Sequence, residues 1–229
     1  MKKLHWLDYA EEAYGTKLVA ETKKVLNVLK VFLSLPLFWA LYGQINSRWI
    51  FQASKMDGNL GWYTIKPDQM VITVTIFIIV LIPTFNEFVF PLLKKIGIIT
   101  SLQKIICGFA CSAISFVVAS IVEWQIEGDR INMLWLIPQY LLIATSEVFI
   151  WVSILSFAFT QAPSNMKSVM TALIYLTVAG GSFIVVVISS ANFLGSQFNE
   201  YLFYVFLMIG NSTFLWSLSK RYQFEENKN

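Results

Sequence analysis

One carboxylate, Glu147, sits near the middle of residues 133–168, an apolar run of membrane-spanning length that closes in the polar turn QAPSNMK at 161–167. A charge at that depth is unfavourable by contested amounts of roughly 2.5 to well over 10 kcal/mol, so it marks a functional site by default. Tyr140, Ala144, Glu147, Trp151, Ile154 and Ala158 follow one another at spacings of four, three, four, three and four. They therefore share one face of a helix. The first four supply a phenol, a small residue, a carboxylate and an indole, a lining that suits a water-filled cavity or a partner bundle. Ile154 and Ala158 return the face to apolar packing. Acid–base catalysis would need a second group, and no other carboxylate shares this depth. Transport or ion binding is the stronger reading of Glu147, and a protonated, hydrogen-bonded core carboxyl is the bland one. No phosphate loop, H-E-x-x-H or paired metal-ligand cluster is present, so the pattern does not read as an enzyme.

The elements that must position this carboxylate follow from composition. Of 229 residues, 56% are apolar and 14% charged, with mean hydropathy +0.62. Soluble domains carry about 25% charged residues, so this is a membrane protein on composition, and apolar runs of span length make all-α the expected class. The net charge of +3 is too small to argue for nucleic acid. Six apolar spans are predicted near 25–46, 70–92, 102–123, 133–160, 168–190 and 201–219, each long enough for a bilayer core of about 30 Å. Residues 220–229 form a short tail. Residues 1–24 are polar, mixed in charge and without the apolar core of a signal peptide. They read either as an amphipathic linker helix, with Leu4, Leu7, Ala10 and Ala13–Tyr14 as its stripe, or as a solvated one.

Within the spans, Pro36 and Gly43 are expected to bend or loosen the first helix. Glu87 lies about a turn from the end of the second span, where a snorkelling role is the simpler reading. Gly108, Ser112, Ser115 and Ala119 suit close packing of the third span. Cys107 and Cys111, one turn apart, read as small packing residues. Ala179–Ser182 in the fifth span reads as a packing notch or a hinge. No metal or organic cofactor is implied.

These residues also carry a resemblance. The segments HWLDYA (5–10), FWALYGQINSRW (38–49), IKPDQM (65–70), PQYLL (138–142) and QAPSNMKS (161–168) agree in order and spacing with the carboxyl-terminal half of the proton-coupled oligopeptide transporters, the POT family, of the animal peptide-transporter kind. The resemblance covers essentially the whole chain. It implies six helices forming one half of a major-facilitator fold, with substrate held between two halves at mid-membrane. It also implies that Glu147 receives a peptide's amino terminus and that Trp39 and Phe38 line the peptide pocket; Tyr140 and Trp151 join them by helix geometry alone. The implied ligands are di- and tripeptides, with the proton as coupling ion. The chain departs from the family pattern at Asn27 and Gly43, where mammalian members pair an Arg with an Asp. It departs also at Val74 and Ile174, where they place a pocket Asn and a Trp. The loop between the third and fourth spans is reduced to QIEGDRIN (125–132). The family's proton-binding His and its E-x-x-E-R motif belong to the other half.

Two readings follow. The chain is the second half of a peptide:proton symporter, in a bilayer (the plasma membrane), inactive without an amino-terminal six-helix half. Alternatively, it is a six-helix binding or regulatory protein that associates with a full-length transporter chain. In both, basic residues set the orientation. Twelve lie on the side of the termini: Lys2, Lys3, Lys17, Lys23, Lys24, Lys94, Lys95, Lys104, Lys167, Lys220, Arg221 and Lys228. Four lie on the opposite side: Arg48, Lys55, Lys66 and Arg130. This asymmetry predicts cytoplasmic termini. In intact cells, an impermeant thiol reagent should therefore label Lys55→Cys and spare Lys94→Cys; the reverse pattern would overturn the orientation.

Overall fold

The computed structural model describes residues 5–126, 128, 131–191 and 195–222. Residues 1–4, including Leu4 of the expected stripe, lie outside them, as do Arg130 and residues 223–229 of the tail. The described chain is helical and carries no strand. It begins with a short 3-10 turn, Trp6–Ala10, and α1 (Glu11–Tyr14), then continues into α2 (Thr16–Phe32), α3 (Leu35–Tyr42) and α4 (Arg48–Ser54). The second span is α5 (Ile72–Thr84), a π-helical turn (Phe85–Val89) and α6 (Phe90–Lys95). The rest are α7 (Ser101–Ile126), α8 (Ile137–Gln161), α9 (Lys167–Ala191) and α10 (Gln197–Arg221). Among the described residues five stretches are long and apolar enough to cross a membrane; the pair Thr16–Phe32 and Leu35–Ser54, bent by 41°, passes the same test together and makes up to six.

The first span differs from its expected bounds. Hydropathy marks where the bilayer begins, not where the helix does. Residues 16–24 carry no helix breaker, so the helix starts at Thr16, just past Gly15 with φ +82°. The preceding turn folds back on it: Asp8 and Glu11 both pair with Lys23. Leu7 is buried while Ala13 and Tyr14 are exposed, so the expected apolar stripe of this segment is not one face. His5 is exposed and caps the 3-10 turn, accepting from the Leu7 N–H at 3.2 Å. The break falls before Pro36, whose ring cannot continue a helix interior. There the Ser34 hydroxyl donates to the Val31 carbonyl at 2.8 Å, and buried Asn211 of α10 donates to the Ser34 carbonyl at 2.8 Å. In the second span, the π turn follows Pro83, and Glu87 within it is exposed.

Packing sorts the helices. In α7 and in the α8 span 56% of the apolar window is buried, against 11% in the second span and 17% in the fifth. The two central helices meet through small residues. A Cβ on Gly108 would lie 2.8 Å from Ile150 Cγ1, and the hydroxyls of Ser146 and Ser115 donate across to the carbonyls of Gly108 and Gln139 at 2.7 and 2.9 Å. Cys107 and Cys111 are free and half-buried beside Phe149.

At the end opposite the termini, α4 is tied to its neighbours by polar bonds. Arg48 pairs with Glu200 of α10 at 2.9 Å, and Lys55 pairs with Glu123 of α7 at 2.5 Å and Gln197 at 2.9 Å. Gln52 donates to the Ala119 carbonyl and accepts from Gln139.

The fifth span's small patch is a packing notch. A Cβ on Gly181 would stand 2.5 Å from Trp39 Cβ and 2.8 Å from the Pro36 carbonyl oxygen, whereas one on Gly180 would stand 3.6 Å from Pro36, an ordinary contact. Overpacking of this kind is unfavourable by about 1–3 kcal/mol. Gly181→Ala should therefore lower the thermal unfolding midpoint of the purified chain in detergent, and Gly180→Ala should leave it near wild type. Equal midpoints for both variants would remove this contact from the account.

Candidate substrate site

The break before Pro36 restarts the first span as α3 and sets its face toward α8 and α9. Trp39 and Tyr42, three residues apart, lie on that face. The Trp39 indole N–H donates to the Thr177 hydroxyl of α9 at 3.2 Å, and its ring stands 4.9 Å from that of Trp151. The Tyr42 hydroxyl reaches α8 and donates to Glu147 Oε2 at 2.6 Å. The Trp151 indole, one turn along α8, also approaches this carboxylate. Glu147 itself is half-buried. It opens into a cavity of about 320 Å³ walled by Ile78 and Ile82 of α5, Trp151 and Leu155 of α8, and Ile174 and Tyr175 of α9. Tyr175 is exposed, with its ring 6.2 Å from Trp151.

The sequence-predicted residues divide into two groups. Glu147 and Trp151 line the cavity, and Trp39 backs Trp151 from behind. Phe38 and Tyr140 are not there. Phe38 is wholly buried and turned toward Phe109 of α7, with ring centroids 5.9 Å apart, because consecutive helical residues point about 100° apart and Trp39 takes the side that meets Trp151. Tyr140 is also wholly buried, two turns from Glu147, where Trp49 meets it edge-on at 5.0 Å. Its hydroxyl has no hydrogen-bond partner. The upper part of the predicted face is therefore packed core at Tyr140 and Ala144, and cavity only at Glu147 and Trp151. Tyr42 and Thr177 were not anticipated. The spacing from Trp39 to Tyr42 held the signal for the first; nothing in the sequence marked Thr177.

The departures at Asn27 and Gly43 also have places. Asn27 is exposed and accepts from Lys30 at 2.9 Å. Gly43 opens a 3-10 turn, where a Cβ would meet Val185 Cγ2 at 3.3 Å. Neither approaches Glu147 by a described hydrogen bond. Ile174 sits in the cavity wall and Val74 is buried. Among the described residues no three His, Cys, Asp or Glu side chains gather as a metal would need. The arrangement presents one carboxylate, held by a phenol, to a cavity of largely apolar walls. Such a site can accept a cationic hydrogen-bond donor and shelter an apolar group beside it.

Known proteins share this fold. The model of the POT family matches residues 1–200. Solute carrier family 15 member 1 of Oryctolagus cuniculus is 43% identical over 127 residues, which are 55% of this chain and 18% of that protein. Solute carrier family 15 member 2 of Mus musculus is 40% identical over 128 residues, 56% of this chain and 18% of that protein. Among solved structures, an auto-inhibited POT family peptide transporter superposes with a TM-score of 0.86 at 24% identity. The match covers 97% of this chain and 46% of that one. The POT family transporter PepTSo superposes with a TM-score of 0.85, covering 96% of this chain and 46% of its own. The chain thus spans about half the length of the transporters whose fold it shares.

Proposed function

Because this chain belongs to the POT family, we propose that it forms the carboxyl-terminal half of the transmembrane path for di- and tripeptides, driven by protons, in the plasma membrane with both termini cytoplasmic. The single observation that carries this reading is Glu147, a half-buried carboxylate that opens into a cavity between α5, α8 and α9. In this reading the peptide's ammonium meets Glu147, and its side chains lie against Trp151, Ile174 and Tyr175. Trp39 holds the Trp151 ring in place. Support for the substrate class comes from relatives of the same fold. One is a POT family transporter in complex with a thioalcohol-conjugated peptide, superposing with a TM-score of 0.74.

This chain lines the cavity with α5, α8 and α9. The remaining wall and the groups that hold a peptide's carboxylate are assigned to an amino-terminal six-helix half, or to another transporter chain. Alternating access needs two bundles that rock about a central site, so these 229 residues do not transport by themselves. The coupling proton is carried mainly by the other half, since the Arg and Asp of the first span are absent at Asn27 and Gly43.

In a chain completed with the amino-terminal half of a relative, Glu147→Gln should weaken proton-driven uptake of dipeptides with a free amino group. Removing one partner of a desolvated charge pair costs about 2–5 kcal/mol. Uptake of analogues whose amino group is acylated should change far less. Equal losses for both classes would contradict an ammonium contact.

A further inference from the structure

Glu147 does not face the cavity bare. The Tyr42 hydroxyl donates to Oε2 at 2.6 Å, at the short end of O–H···O hydrogen bonds. The phenol is itself fixed. Its ring packs against Phe38 at 6.0 Å and Trp39 at 6.1 Å, and Trp39 is held by Thr177. The notch at Gly181 keeps this part of α3 tight against α9. Tyr42 therefore takes one acceptor position on Oε2, and the Trp151 indole approaches the same carboxylate, so the protein already fills part of its acceptor capacity, and Oε1 carries no phenol. The two cations that a peptide or amine can present differ here. An ammonium is a compact point charge with three rotatable donors, satisfied by one oxygen. A guanidinium is a planar fork that matches a carboxylate through both oxygens at once.

We propose that Tyr42 is a positioning and specificity-determining residue of the Glu147 site: by taking an acceptor position on Oε2 and fixing the carboxylate's orientation, it favours a single ammonium group over the two-pronged fork of a guanidinium or amidine. This inference rests on Glu147 being the amine acceptor. Tyr42 touches the carboxylate and not the ligand, so its action passes through Glu147. Loss of the hydroxyl alone frees Oε2 for the second prong of a fork.

The test uses the purified 229-residue chain in lipid nanodiscs, with methylammonium and methylguanidinium as probes. Binding is followed by tryptophan fluorescence, since Trp151 and Trp39 flank the carboxylate. Wild type should favour methylammonium by roughly tenfold, about the worth of one charge-assisted hydrogen bond. In Tyr42→Phe, which keeps the ring contacts, the preference should vanish or reverse. Infrared difference spectra give a second readout without any probe. The Glu147 carboxylate stretches, assigned by their disappearance in Glu147→Gln, should move in Tyr42→Phe. Binding that depends on Glu147 with an unchanged preference and unmoved stretches in Tyr42→Phe would overturn the role of Tyr42 alone. Binding of both probes that survives Glu147→Gln would overturn the amine-acceptor reading, and this inference with it.

Discussion

A carboxylate among apolar helices must be held, and the structure around Glu147 is organised by that requirement. A lone charge at this depth is strongly unfavourable unless donors and partial hydration surround it. The Tyr42 hydroxyl answers it directly, from a different span. That bond ties α3, which packs mainly on α9, to the carboxylate of α8. Pro36 supplies the break, and Asn211 steadies the freed backbone from α10. The approach of α3 to α9 is possible because Gly181 has no side chain to stand in the way of Trp39. The site is thus the product of three helices whose contacts are mutually dependent.

The far end of the bundle works on a different principle. There α4 is pinned by the Arg48–Glu200 and Lys55–Glu123 ion pairs and by the Gln52–Gln139 bond. Both carboxylates are largely buried, and breaking such a pair leaves an uncompensated charge. Between this clamp and the site lie the 3-10 turn Gly43–Asn46 and the irregular Ser47. The first span therefore has a fixed end and a site-bearing middle joined by its least regular backbone.

Much of the fold was legible in the sequence because bilayer-length apolar runs are unambiguous, and the described residues form helices, five of them long and apolar enough to cross a membrane. The helix that carries the first apolar run begins earlier, at Thr16, since Lys17, Lys23 and Lys24 continue a helix as readily as they mark a membrane edge. Glu147 was legible because a membrane carboxylate stands out, and Trp151 because it shares a helix face with it. Tyr140 lies on the same face by spacing, but a helix face two turns long passes from cavity to core, and only the neighbouring helices decide where. Phe38 and Trp39 are adjacent in sequence, so one had to turn away; the Gly181 notch made it Phe38. The spacing of Tyr42 from Trp39 marked its face, but its pairing with Glu147, 105 residues away, was hidden, because pairing between spans has no signature in a single helix's periodicity.

The half-transporter account is tested most directly by reconstitution. Liposomes containing the purified 229-residue chain are given a proton gradient and a labelled dipeptide, beside liposomes in which an amino-terminal six-helix half of a relative is assembled with it. The account predicts no saturable uptake by the chain alone and gradient-dependent uptake by the assembled pair. Saturable, gradient-dependent uptake by the chain alone would contradict it and would turn attention to a homodimer built around paired Glu147 faces.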